Sequence, residues 1–155
     1  MKSSLVALAL IASAADIAPA QAPDPAAAAV RDGFKTVSGY ITAAAAAVPA
    51  DKYTYQPAKD VRTFGQLVAH VIDGYNYFCA AGAGKKVEWS DAVEKGATDK
   101  AALAGKLKAA TAACQTAYAG KAQLPALIQN NEHTNLHYGN IITYMRMLGL
   151  KPPSS

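Results

Sequence analysis

The chain has 155 residues, 52% of them hydrophobic and 17% charged, with a net charge of +4. So much apolar side chain with so little charge excludes an intrinsically disordered chain, and the length suits one domain with a core that stands without staples. The twelve lysines are dispersed, and arginine occurs three times. The clustered Lys/Arg face of a nucleic-acid binder is missing, so no nucleic-acid partner is expected.

The N-terminus reads as an address. Lys2 precedes an apolar run from Leu5 to Ala15, and Ala20-Gln21-Ala22 supplies small residues at a cleavage site. This is the layout of a secretory signal peptide. It is expected to cover residues 1–22 and to leave a mature domain over 23–155, with Ala18-Pro19-Ala20 as an alternative cut. A spanning anchor needs about 20 apolar residues, and Asp16 and Pro19 interrupt this run. No later stretch is long and apolar enough to span. The mature protein is therefore expected to be exported, periplasmic or secreted, without membrane attachment. Export bears on the two cysteines, Cys79 and Cys114. An even count in an oxidising compartment suggests a disulfide; two buried free thiols are the alternative.

Four helical segments follow in chain order. From Ala26 to Val48, Val30, Phe34, Val37 and Ile41 recur at three- and four-residue steps, and Pro49 stops the run. Tyr53–Asp60 reads as a connecting loop. Thr63 and Gln66 form a capping box that opens a helix over Phe64–Ala81, with Leu67, Val71, Tyr75 and Phe78 on one stripe and Gly82 and Gly84 at its end. Val87–Ala97, which holds Trp89, is a polar connection. Thr98 or Asp99 caps a third helix over Lys100–Ala119, closed by Gly120. A fourth runs from Leu124 to Leu148, before Gly149 and Pro152-Pro153. No segment alternates long enough for a strand. The expected fold is all-α, a four-helix bundle of up-down type with one longer crossover. Leu67, Val71, Ile141 and Met145 are expected in its core.

The chain has three histidines: His70 on the second helix, and His133 and His137 on the fourth. The last two are four apart and leave one helix face about a turn apart, a spacing at which two imidazoles can grip one ion. His70 on a facing helix would complete a three-imidazole site with open positions. The alternative is three hydrogen-bonded core or interface residues. Tyr77 lies near the azimuth of His70, while Cys79 falls on the opposite side of that helix and is a poor fourth ligand. Asp73, Asn130, Asn140 and Tyr144 are candidates for supporting hydrogen bonds or substrate contacts, and Asp73, Asn140 and Tyr144 for a catalytic role. Packing is the plain alternative for each tyrosine. Glu132 precedes His133 and points about 100° away round the helix, so it is no general base of the zincin kind.

Two segments carry a family resemblance. Thr63-Phe64-Gly65-Gln66-Leu67-Val68-Ala69-His70 and Glu132-His133-Thr134-Asn135-Leu136-His137-Tyr138-Gly139-Asn140, with Tyr144-Met145-Arg146 and the Gly149–Ser155 tail, resemble the second-helix and fourth-helix signatures of DinB-like (damage-inducible, YfiT-related) proteins. The resemblance implies a four-helix bundle with a metal triad on His70, His133 and His137, zinc or nickel as the divalent ion, frequent homodimers, and activity as a metal-dependent hydrolase or thiol-dependent transferase on a small-molecule substrate. Export and a disulfide set this chain apart from much of that family and favour water over a cytosolic thiol. A bundle that binds metal or ligand without catalysis is the alternative function.

Overall fold

A computed structural model describes residues 24–120 and 123–155. The expected signal segment therefore lies outside the described residues. Four long helices carry the fold: α1 (Pro25–Ala47), α2 (Phe64–Gly82), α3 (Lys100–Ala119) and α4 (Leu124–Met147), with one 3-10 turn at Ala50–Lys52. No strand occurs among the described residues, and none of the described helices is long and apolar enough to cross a membrane.

Each boundary has a local cause. Asp24 caps α1 by accepting from the Ala26 N–H, with Pro25 in the first turn, where its missing donor is harmless. Thr63 and Gln66 form the full capping box on α2. Asp99, rather than Thr98, caps α3 through the Ala102 N–H. Gly84 and Gly149, at φ 79° and 72°, end α2 and α4 in the left-handed conformation that glycine takes without a Cβ penalty. At α4 the Leu150 N–H returns to the Met145 carbonyl and the Gly149 N–H to that of Arg146.

The helices run up-down-down-up. The starts of α2 and α3 lie together, because Gly65 faces the Thr98 carbonyl, and Cys79 bonds to Cys114 nearer their ends. Those two helices are parallel neighbours. The Gln123 N–H donates to the Gly82 carbonyl (2.7 Å), so α4 starts where α2 stops and runs antiparallel to it. Lys100 donates to the carbonyls of Ala46 and Val48, which sets α3 antiparallel to α1. Around the bundle the order is α1, α4, α2, α3. Parallel packing of α2 and α3 has one consequence for the chain between them. Residues 83–99 must travel back along the helices before α3 can begin, and this is the longer crossover.

The core lies between the four helices. Leu67, Val71, Ile141 and Met145 are all buried, with Phe34, Ile41, Phe64, Ile72 and Leu103 beside them. Phe34 stacks on Tyr118 with ring centroids 4.3 Å apart. The disulfide joins α2 to α3 with Cα atoms 5.0 Å apart, across 35 positions of sequence. Its stabilisation by loop closure is about 3–4 kcal/mol. Replacing both cysteines, Cys79→Ala with Cys114→Ala, should lower the unfolding free energy by about that amount in a denaturant titration without reductant; an unchanged midpoint would show that the cross-link adds nothing.

Candidate metal centre

The bundle brings the three histidines together. One ligand nitrogen from each of His70, His133 and His137 lies within 4.8 Å of the other two. Ring centroids are 5.0 Å apart for His70 and His133, 4.6 Å for His70 and His137, and 4.5 Å for His133 and His137. The Nε2 atoms of His70 and His133 stand 3.2 Å apart. Two nitrogens bound to one ion at roughly 2.0–2.1 Å each, with a near-tetrahedral angle, fall at about this separation. The same distance also lies within reach of an N–H···N hydrogen bond between two neutral rings.

The three rings are held in different ways. His70 donates Nδ1–H to Glu94 Oε2 (2.8 Å), which fixes the tautomer and leaves a lone pair on Nε2. Glu94 is anchored on its other oxygen by Arg62 Nε (2.7 Å). His133 is seated by shape. A Cβ on Gly74 would stand 2.5 Å from His133 Cε1 and 2.6 Å from its Nδ1, so α2 admits this ring because residue 74 is glycine. The Nδ1 atoms of His133 and His137 are buried and have no hydrogen-bond partner. Buried ring nitrogens without partners are costly in an ordinary core. Together with the close Nε2 atoms, they suit rings whose other nitrogens serve a ligand. Three neutral imidazoles form a donor set that fits a borderline divalent ion.

The crossover covers this cluster. Asp73, buried on α2, accepts the backbone N–H groups of Val93 (3.1 Å) and Glu94 (2.9 Å). Those two bonds pin the returning chain and deliver the Glu94 side chain to His70. Trp89 lies over the rings, with centroids 5.4 Å from His70 and 5.7 Å from His133. Phe78 stands 5.4 Å from His133. Burial is the main reason that His133 is pushed down from 6.5 to about 3 and His137 to about 4; neighbouring histidines and Arg62 add to both shifts. A second set, His70 with Asp91 and Glu94, also lies within ligand range. It draws on the same His70 ring, whose Nδ1 is already held by Glu94.

The other candidates divide. Asp73 is spent on two backbone donors and supports the site by holding the crossover. The Tyr144 hydroxyl donates to the Arg62 carbonyl (2.8 Å) and so fixes the chain entering α2. Asn130 is buried and donates to the Tyr118 hydroxyl (3.0 Å), tying α4 to α3 instead of facing the rings. Asn140 shares the azimuth of His133 but lies at the exposed margin of α4, and no hydrogen bond joins it to the cluster. Glu132 is exposed, as its angle requires. Tyr77 packs edge-on against Trp89 with centroids 5.5 Å apart. Sequence reading misses Glu94, Arg62, Gly74 and the covering position of Trp89. Glu94 and Trp89 lie in a segment with no periodicity, so no spacing rule could have linked them to His70.

A family model described as the DinB superfamily matches residues 33–144. The chain belongs to that superfamily. No curated protein and no solved structure matches it.

Two measurements follow from this geometry. The unfolded chain takes up protons on His133 and His137 near pH 6.5, whereas the folded chain refuses them until about pH 3–4. The unfolded state thus binds more protons across that window. Metal-free protein should be most stable above pH 6.5 and lose stability as the pH falls toward 4. Urea midpoints measured across that range check this, and a flat profile would refute it. Gly74→Ala should keep the bundle folded, since alanine suits a helix interior, but unseat the His133 ring. Histidine ring resonances would report the move; an unshifted His133 signal would show that the seat does not depend on residue 74.

Proposed function

We propose that this is an exported protein that binds one divalent ion, zinc or nickel, through His70, His133 and His137 and uses the site as a metal-dependent hydrolase or thiol-transferase-type enzyme on a small-molecule substrate. The observation that carries this reading is the 3.2 Å approach of two Nε2 atoms while the far nitrogen of one ring is held by a carboxylate. When bound, a divalent ion on three imidazoles supplies Lewis acidity, lowering the pKa of a water or thiol toward ~7.

The remaining chemistry belongs to the chain. Glu94 fixes the orientation of His70. Arg62 holds Glu94 in place and places positive charge at the edge of the cluster. Trp89 and Phe78 keep water from one side of the rings. Hydrolysis suits an exported protein better than a thiol cosubstrate, and the disulfide agrees with an oxidising compartment.

One observation favours a second reading, a bundle that binds metal or ligand without turnover. Asp73 and Glu94 are both engaged in holding structure, so neither carboxylate is left to move a proton.

Elemental analysis after loading with zinc or nickel tests the site, and about one ion per chain is expected. His133→Ala should lose it, and Glu94→Gln should weaken affinity by about 10–100-fold. Failure of the wild-type chain to retain either ion would overturn the metal site. Ester, amide and thiol-transfer substrates, assayed with wild type and His133→Ala, then separate the two readings. A rate that the substitution leaves unchanged would remove the metal mechanism; no rate on any substrate would favour the binding bundle.

A further inference from the structure

Opposite the histidine cluster, across the bundle, α1 and α3 leave a groove of about 850 Å³ between them. Its size lies within the range of small-molecule sites. It opens because the facing positions are small: Gly39 and Ala43 on α1, and Ala104 on α3. The floor reaches the core at Val68, Leu103 and Leu107, all buried. Ser38 and Thr42 do not make the walls polar. Their hydroxyls turn back to the α1 carbonyls of Lys35 and Ser38.

The charge around this groove has one sign. Lys35, Lys100 and Lys108 line it, and no aspartate or glutamate does. Lys100 is committed to the Ala46 and Val48 carbonyls and closes one end. Lys35 and Lys108 are exposed and make no ion pair among the described residues. No acidic side chain lines the groove to receive Lys35 or Lys108 of a second copy docked symmetrically here, which is unfavourable for an isologous contact. An apolar trough with two uncompensated cations at its rim matches an apolar chain with an anionic head. Long lysine stems cover apolar surface while their heads stay in water, where they can meet a carboxylate.

We propose that the groove between α1 and α3 binds a fatty acid of about twelve carbons, with its tail along Leu103 and Leu107 and its carboxylate between Lys35 and Lys108. This site is separate from the histidine cluster and does not depend on any metal there.

Calorimetric titration of the full chain with dodecanoate below its micellar concentration tests it, beside dodecanol and dodecyltrimethylammonium. Saturable one-site binding of dodecanoate is expected. Each methylene removed from the tail should weaken it about fourfold. Lys35→Gln with Lys108→Gln should weaken dodecanoate about fivefold or more and leave dodecanol unchanged. The ammonium compound should bind least. Ala104→Phe, at an exposed position, should block the trough and abolish binding of both dodecanoate and dodecanol. Gly39→Leu is a second filling variant, since a Cβ there meets no atom within 4 Å. Absence of saturable binding, equal affinity for the cationic amphiphile, or binding that survives both filling variants would overturn the proposal. So would a concentration-dependent dimer that the filling variants dissociate, because a second copy would then occupy the groove.

Discussion

Asp73 lies on the buried face of α2, where a carboxylate without partners would carry a heavy desolvation penalty. It is satisfied by the N–H groups of Val93 and Glu94, from a segment twenty residues further along. Much of the site follows from that pairing. Because α2 and α3 run parallel, the crossover has to return along the bundle, and many tracks across the helices would serve. The carboxylate of Asp73 selects the track that passes over His70. With the backbone pinned there, Glu94 meets His70 and Arg62 together, and Trp89 comes to rest over the rings. A carboxylate that the sequence offers as one catalytic candidate thus acts as the anchor of a covering strap.

The three imidazoles are immobilised by unlike forces. His70 is fixed by a charge-assisted hydrogen bond. His133 is fixed by the shape of a helix surface from which one Cβ is missing. His137 packs edge-on between the other two rings. The first arrangement governs tautomer and orientation, while the second governs position alone. The buried, unpartnered Nδ1 atoms of His133 and His137 mark where hydrogen bonding has been given up to bring the rings close.

The two sides of the bundle are built from contrasting side chains. Between α2 and α4, large rings fill the space and hold one another at van der Waals distance. Between α1 and α3, small residues leave the space open down to the core. The disulfide from Cys79 to Cys114 fastens α2, from the first side, to α3, from the second.

Helix boundaries are legible in the residues themselves. Caps such as Thr63 with Gln66, and stops such as Pro49 and Gly149, act over a few positions of chain, where sequence and local geometry are nearly the same thing. The four-residue spacing of His133 and His137 is local in the same way, and the family signature around His70 supplies the partner on α2. What tertiary structure alone decides is everything that depends on which helices become neighbours. Asn140 has the right azimuth but sits at the edge of the interface, and Asn130 turns to α3. Glu94, Arg62 and Gly74 enter the site through the parallel packing of α2 and α3 and the close approach of α4. Angular position along one helix follows from a fixed rotation per residue, whereas contact between distant segments depends on how the whole bundle closes.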